Sequence, residues 1–409
     1  MTRERSRVIV QYLEGGAAAG LPSPEAAVAR LRRAAAILPI DDVCLGWNLP
    51  APLVANVVRA AHDLGAAVWL WHPLLSGDGR YVPGPDRVLG ASGRPVEAPG
   101  GMGEFAFDCA VRPGGRDAAL QRLTAALTDA PWDGVFLDKI RWPSPTADPA
   151  TDLGCFCDAC ARESGAAGVD LAEVRAMIRS APATAAGRLA MVAALMGLGT
   201  PTVLSRYLDW RCRVITQLVE RAATMVGEHE TSSGAPLRVG LDVFAPCLTR
   251  AVGQDTAALA PHAEFTKAML YLGTHGPAGM AFELARLGSW LREGGVRAPG
   301  AELSAWCGFP VAEPTDLRSG SLSIAALDHE LAELERLAGR RAAVGVDAVW
   351  IANLAILDDS TLGEVAARAA RAGLPVVISW DLQHVSDTRL DRISQALGEP
   401  ATSISRGGR

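Results

Sequence analysis

Lysine is almost missing from this chain of 409 residues. Only two of its 39 basic residues are lysines, Lys139 and Lys267, and the others are arginines. A genome rich in G and C explains the total, but both remaining lysines fall on or next to predicted β-strands. Because arginine cannot replace lysine where a compact or deprotonatable amine is needed, both lysines are candidate functional residues.

Other absences exclude classes of partner. No stretch approaches the roughly 18 apolar residues of a membrane span, and a formal net charge of −6 argues against nucleic-acid or anionic-membrane partners. The first apolar run is too short for a signal peptide. We therefore expect a cytoplasmic protein with a small-molecule partner, whose eight cysteines are thiols or metal ligands rather than disulfides. A homo-oligomer is left open.

Short apolar runs alternate with helical patterns along most of the chain. Near-continuous apolar strands separated by helices indicate a parallel sheet covered by helices. The repeats predict an α/β fold, a (β/α)8 TIM barrel with long insertions after strands three and four. We expect one barrel domain over residues 1–400, with 74–115 and 141–200 as loop and helical insertions, and a disordered tail over 401–409.

The pattern yields nine strand candidates, whereas a closed barrel of this kind takes eight. Either the last candidate, 376–380, is an appendage, or one of the others lies outside the barrel. The first eight candidates are 8–13, 43–47, 67–71, 134–138, 237–243, 265–271, 303–307 and 348–352.

The fourth predicted strand ends abruptly in charge, at Asp138, Lys139 and Arg141. In a parallel barrel, chemistry takes place where strands pass into loops. Glycoside cleavage needs two carboxyl groups flanking the bond, and Asp242 lies near the end of strand five. We interpret Asp138 as nucleophile or base and Asp242 as acid/base. Alternatively, Asp242 is a buried acid paired with Lys139 or Arg141.

Lys267 lies within predicted strand six, and alternation places Tyr271 on the same face of that strand. We interpret Lys267 as a catalytic residue that pairs with Asp138 or binds a substrate hydroxyl, although a purely structural ion pair remains open. A lysine whose pKa is lowered can instead form a Schiff base. Two other functions therefore stay open: a lyase, aldolase or isomerase using Lys267 or Lys139, and a non-catalytic carbohydrate-binding barrel.

Tryptophan is abundant where tyrosine is scarce, with ten against four. Several tryptophans end predicted strands, where flat indoles can stack on sugar rings, whereas core packing is expected for Trp69, Trp132 and Trp350. Asp381 follows the ninth candidate strand and is a candidate for binding substrate; the alternative is that it caps a turn. Trp71 and Trp380 belong to the same predicted rim of aromatic residues. The candidate substrate-binding residues are Trp47, His72, Lys139, Arg141, Trp142, Tyr271, Trp306 and Asp381.

Three cysteines, Cys155, Cys157 and Cys160, form a compact set of soft ligands after strand four. Structural zinc takes four sulfur or nitrogen ligands in a tetrahedron. Cys109, in the insertion after strand three, is the candidate for the fourth, so we predict a structural Zn²⁺ that joins the two insertions. The other four cysteines are expected to be small buried hydrophobic residues; they are Cys44, Cys212, Cys247 and Cys307.

This arrangement of four cysteines resembles the zinc cluster of glycoside hydrolase family 42 β-galactosidases. DGVFLDKIRWP and FTKAMLYLGTHGPAGMAFEL are also similar to the strand-four and strand-six regions of TIM-barrel glycosidase-like proteins. The resemblance implies a barrel with glycosidase-like chemistry. β-Galactosidase activity is not implied, because this chain departs from family 42 at two positions. Family 42 has Asn-Glu after strand four, where this chain has Asp138-Lys139. Family 42 also has a glutamate nucleophile after strand seven, where this chain is predicted to have Trp306-Cys307-Gly308. Asp138 is placed more as in the α-amylase and α-galactosidase plans, where a strand-four aspartate is the nucleophile.

Overall fold

The computed structural model describes residues 5–15 and 20–398. Eight parallel strands close into a barrel in sequence order, with β8 hydrogen-bonded back to β1. The predicted (β/α)8 barrel is therefore confirmed. The strands are β1 Val8–Tyr12, β2 Asp42–Leu45, β3 Ala67–Pro73, β4 Gly134–Asp138, β5 Arg238–Phe244, β6 Phe265–Met269, β7 Ala342–Asp347 and β8 Val376–Ser379.

Helices cover the barrel, and several of them begin at capping residues that the sequence provides. Ser23 and Asp170 accept N–H groups of the first turn of their helices, and Thr202 and Ser205 form a reciprocal capping box. The α-helices of the described residues are α1 Pro24–Ile37, α2 Ala51–Asp63, α3 Pro113–Leu127, α4 Pro149–Asp152, α5 Asp158–Ala166, α6 Leu171–Ser180, α7 Ala185–Leu195, α8 Val203–Gly227, α9 Thr256–Leu259, α10 Met280–Glu293, α11 Pro299–Cys307, α12 Pro314–Leu317, α13 Ile324–Ala338, α14 Asp359–Ala372 and α15 Asp387–Gly398.

Two of the predicted strands are wrong. Segment 303–307 belongs to helix α11, which starts at Pro299 and buries Leu303 and Cys307, one helical turn apart. Segment 348–352 is a loop, and the true seventh strand, β7, directly precedes it. The ninth candidate strand forms β8 and closes the barrel. The strand β7 was missed because the Leu- and Ala-rich pattern of 324–343 is typical of a helix throughout, whereas the helix ends at Gly339, with φ of 56°.

The lower half of the barrel interior is filled by aromatic rings. Trp69 and Phe265 meet edge to face with ring centroids 5.1 Å apart, and Phe136 stacks on Phe265 at 5.7 Å. Two glycines give these rings their space: a Cβ on Gly134 would lie 2.4 Å from the Trp69 ring, and one on Gly240 would lie 2.5 Å from Phe265. This packing fills the floor of the barrel beneath the cavity at the carboxyl ends of the strands.

The long segments after β3 and β4 contact each other above the barrel. Gly90 forms an isolated bridge with Gly154, and the N–H of Phe156 donates to the Leu89 carbonyl at 2.9 Å. The predicted tail, 401–409, lies outside the described residues. In the described part of the chain, each helix is too short or too polar to cross a membrane.

Candidate active site

A cavity of about 250 Å³ opens at the carboxyl ends of the barrel strands. Asp138 at the end of β4 and Asp242 near the end of β5 both line it, as do two basic residues, Lys139 and Arg141. Trp71, Trp380 and Tyr271 supply aromatic wall. Two further carboxylates, Glu14 and Glu104, lie on the same lining. The cavity therefore combines several carboxyl groups with two cations and flat apolar surface.

Asp138 is oriented by two N–H donors. The indole N–H of Trp71 donates to Oδ2 at 3.1 Å, and the backbone N–H of Lys139 donates to Oδ1 at 2.5 Å. The second bond depends on the turn that ends β4, because Lys139 takes a left-handed φ of 52°. Such a conformation is rare for a residue with a side chain and is typical of functional sites.

Asp242 is held from below by Lys267. The Lys267 ammonium donates to Asp242 Oδ2 at 2.9 Å, to Gln11 Oε1 at 2.9 Å and to Tyr271 Oη at 2.6 Å. These three bonds use every hydrogen of the amine. Burial opposes the charged form, but Asp242 and Tyr271 outweigh it, so the pKa of Lys267 is raised.

Lys267 is fully buried and lies beneath the cavity rather than on its lining. Room for its side chain comes from Gly345 on β7, because a Cβ there would lie 2.5 Å from Lys267 Cε. The predicted common orientation of Lys267 and Tyr271 agrees with their hydrogen bond. Of the two, only Tyr271 reaches the cavity.

Two of the lining carboxyl groups hold their protons more tightly than usual. Burial, opposed by Lys267 and assisted by the charge of Asp138, raises the pKa of Asp242 to about 7. Burial, opposed by Lys139, likewise raises the pKa of Glu14 to about 7. Within residues 5–15 and 20–398, Oδ1 of Asp242 contacts no hydrogen-bond partner. The raised pKa favours the protonated form of Asp242, whose unpartnered Oδ1 is buried.

The two lining cations differ in their surroundings. Lys139 donates to the Glu104 carbonyl at 3.0 Å and lies over the Trp47 and Phe105 rings. Burial lowers the pKa of Lys139 although Asp138 opposes the change. Arg141 lies between the Phe107 and Phe244 rings, and burial lowers its pKa to about 10, which leaves it charged at neutral pH.

Asp381 has the capping role that the sequence left open. Its carboxylate accepts the N–H groups of Leu13 at 2.9 Å, Glu14 at 3.2 Å and Gln383 at 2.9 Å. These bonds tie the turn after β8 to the end of β1. The neighbouring Trp380, rather than Asp381, lines the cavity.

Four other predicted substrate-binding residues do not line this cavity, although Trp47 packs edge to face on Trp71, which does. Trp142 is fully buried and packs on Trp210, and Trp306 lies on helix α11, packed partly against the core. Trp47 and His72 line a different cavity, outside the barrel wall. Strand-end position alone predicted these residues, but it does not specify which face of the wall a side chain occupies.

Trp350 departs from its expected burial. It is 57 % exposed, on the loop after β7, so the prediction of core packing is wrong for it. The same prediction is confirmed for Trp69 and Trp132, which are both buried.

Sequence reasoning also missed Gln11, although a lone amide within the apolar run VIVQY is a signal that could have found it.

The four predicted metal ligands come together in a buried cluster. The sulfur atoms of Cys109, Cys155, Cys157 and Cys160 all lie within 4.8 Å of one another. Cys109 Sγ is 3.4 Å from that of Cys160 and 3.9 Å from that of Cys157. A tetrahedral ion with bonds of about 2.3 Å to sulfur separates its ligands by about 3.8 Å. The cluster therefore has the size and donor set to hold a metal ion.

Backbone N–H groups point at two of these sulfurs. Leu89 donates to Cys155 Sγ and the N–H of Cys160 donates to Cys157 Sγ, each at 3.4 Å. Such donors stabilise negative charge on sulfur, and the thiolate is the form that binds metal.

Of the other cysteines, Cys44, Cys212 and Cys307 are buried as expected, and Cys247 is partly buried.

The fold is similar to the barrels of two solved glycoside hydrolases. The glycoside hydrolase domain of PgaB (BpsB) from Bordetella bronchiseptica is similar with a TM-score of 0.57 and 13% identity, over 95% of this chain and 98% of that one. A β-galactosidase from the psychrophilic Marinomonas ef1 is similar with a TM-score of 0.51 and 12% identity, over 95% of this chain and 59% of that one.

No protein-family profile matches the chain, and a search of curated proteins found no match. The structural likeness, at this identity, establishes the fold. The resemblance to TIM-barrel glycoside hydrolases is confirmed at that level. The likeness of the cysteine cluster to that of family 42 stays a prediction.

Proposed function

We propose that this protein is a glycosidase-like enzyme that cleaves or rearranges a small glycoside or sugar-like substrate at the cavity on the barrel mouth. The observation that carries the proposal is the pair of Asp138 and Asp242 on one small cavity, with the pKa of Asp242 raised to about 7. Glycosidases need one carboxyl group protonated and the other ionised. The shared barrel fold supports this assignment.

In this mechanism Asp242 donates its proton to the oxygen of the leaving group. Asp138, on the neighbouring strand, acts as nucleophile or as base toward water. Trp71 and Trp380 provide flat surface for a sugar ring, and Arg141 and Tyr271 offer polar contacts to its hydroxyls. Lys267 touches Asp242 and not the cavity, so we assign it as a positioning residue.

The pH dependence of turnover tests the role of Asp242. A general acid works only while it is protonated, so kcat/KM for aryl glycosides should fall about tenfold per unit as the pH rises above about 7. Asp242→Asn should remove this alkaline limb, and should slow phenyl glycosides far more than dinitrophenyl glycosides, whose leaving group needs no proton. The Asp117→Asn variant, at an exposed position of α3, is the control. An alkaline limb that persists in Asp242→Asn would refute the assignment.

Lys139 supports a second candidate function, a Schiff-base lyase, aldolase or isomerase. It lines the cavity, and burial lowers its pKa, as a nucleophilic amine requires. Lys267 is the weaker candidate because its three hydrogens are donated and its pKa is raised.

Borohydride trapping separates the second function from the first. For a Schiff-base enzyme, reduction in the presence of small aldehydes, ketoses or keto acids should add mass to the intact protein. The adduct should be absent in Lys139→Arg and retained in Lys267→Arg. A glycosidase should give no adduct with any of these compounds. Sugar bound without cleavage or adduct would instead indicate a carbohydrate-binding barrel.

We further propose that the four-cysteine cluster holds a structural Zn²⁺. Thiolates are preferred zinc ligands, and four of them complete its tetrahedron. With every position filled by sulfur, such an ion would have no place for substrate. Its role would be to fix the segments after β3 and β4 to each other.

A further inference from the structure

A second cavity, of about 710 Å³, lies outside the barrel wall. Val54 of α2 and Ala125 of α3 form its sides, and Leu70 and His72 of β3 form its base. Its volume falls within the roughly 300–1,000 Å³ typical of small-molecule sites. The proposed glycosidase chemistry does not use this space.

His72 brings an unsatisfied nitrogen to this cavity. Alternation along β3 turns its side chain away from the barrel interior that Trp71 faces. Only 4 % of His72 is exposed, and in the described part of the chain its Nε2 has no hydrogen-bond partner. Burial and then the nearby charge of Arg122 lower the pKa of His72 to about 4, so the ring is neutral at pH 7.

Arg122 brings unused donors to the same wall. Its Nη2 donates to the Leu74 carbonyl at 3.0 Å, and its guanidinium lies 3.8 Å from the centroid of the Tyr81 ring. Nε and Nη1 are buried and lack partners among residues 5–15 and 20–398. Buried donors of a cation without acceptors are unfavourable, and the acceptor that arginine prefers is a carboxylate or phosphate oxygen.

The remaining wall is largely aromatic and apolar. Trp47, Tyr81 and Trp132 line it, and both indole N–H groups are already donated, to the Asp78 and Ala126 carbonyls. This surface suits a flat ring rather than a chain of hydroxyls.

Two carboxylates also line the cavity, and neither occupies the donors of Arg122. Asp78 accepts the N–H groups of Arg80 and Tyr81 through Oδ1. Asp129 is exposed, where solvent and salt screen its charge. Asp78 is buried with its Oδ1 already bonded, so the unpartnered Nε and Nη1 of Arg122 remain the donors that this wall has to offer.

We propose that this cavity is a binding site for a small molecule that joins a flat apolar ring to one carboxylate or phosphate group. The anionic group would accept from Arg122, and His72 would bond to a polar atom beside it. The ring would lie against Trp47 and Trp132. This site shares no lining residue with the mouth cavity, although Trp47 packs on Trp71 of that cavity. The proposal does not depend on the glycosidase assignment.

Titration calorimetry on the full chain tests the proposal with benzoate, phenyl phosphate and the neutral benzyl alcohol as probes. At least one anionic probe should bind saturably and at least tenfold more tightly than benzyl alcohol, and should change tryptophan fluorescence. The stronger of the two anions identifies the carboxylate or the phosphate as the preferred group. Arg122→Gln should weaken that binding at least tenfold, whereas Arg221→Gln, at an exposed position of α8, should not.

A second variant covers the case in which Arg122→Gln fails to fold. Ala125→Phe places a ring in the cavity from an exposed position of α3 and leaves every polar group in place. It should abolish binding of the anionic probe. The proposal is overturned if neither anion binds the native protein saturably, or if Ala125→Phe binds as tightly as the native chain.

Discussion

Replacing Asp138 with asparagine should reduce kcat for aryl glycosides by at least about 10³-fold, the upper part of the range for a positioned acid or base. The amide has nearly the same shape, but its one oxygen can accept only one of the two N–H bonds from Trp71 and Lys139, because the NH2 group only donates. It cannot attack the sugar carbon as a nucleophile or take a proton from water. The fold should survive, and the measurement is turnover of an aryl-glycoside panel by the native chain and the variant.

The matched control for this change is Asp117→Asn, at an exposed position on α3 that lies outside both cavities. The control should keep native turnover and the native denaturant midpoint, and Asp138→Asn should remain folded. Native turnover in Asp138→Asn would remove Asp138 from the mechanism. An equal loss in both variants would point to damage elsewhere in the protein.

The sequence predicted those parts of the fold and site that depend on neighbouring residues. The run from Gly134 to Asp138 is apolar and then charged, so both the strand and its exposed end could be read directly. Cys155, Cys157 and Cys160 are likewise close along the chain. Cys109 could be added because its insertion follows the strand that pairs with β4.

Features that depend on register around the barrel were not predictable. The base of the site needs Gln11 from β1, Asp242 from β5 and Lys267 from β6 at one height, with Gly345 on β7 making room. No sequence pattern relates four strands in this way. The capping role of Asp381 could be named in advance, but the choice between capping and binding required the three N–H donors to be located.

Short Ala-rich segments defeated the strand assignment for a different reason. The strand β7, AAVGVD, directly follows an Ala- and Leu-rich helix, so the helical pattern seemed to continue into it. Conversely, the segment 303–307 is apolar enough for a strand, but Pro299 starts a helix there. Periodicity over so few residues cannot separate the two structures.

Removing one ligand of the cysteine cluster should have the largest effect on stability. Purified native protein should contain one zinc per chain by emission spectroscopy, and Cys109→Ser should contain none. Metal that binds only the folded state adds about 4 kcal/mol to the free energy of unfolding when free zinc exceeds its Kd a thousandfold. Loss of that contribution is a large part of the stability of a typical domain. Chemical denaturation of both proteins measures the difference.

Cys247→Ser is the matched control, because Cys247 is partly buried and outside the cluster. It should keep both the zinc and the native denaturation midpoint.

The segment after β3 contains the ligand Cys109 and also contributes Met102, Glu104 and Phe105 to the mouth cavity. Loss of the metal should therefore also raise KM for any substrate bound there. A folded native protein free of metal, with Cys109→Ser equally stable, would show that the four thiols pack together without an ion.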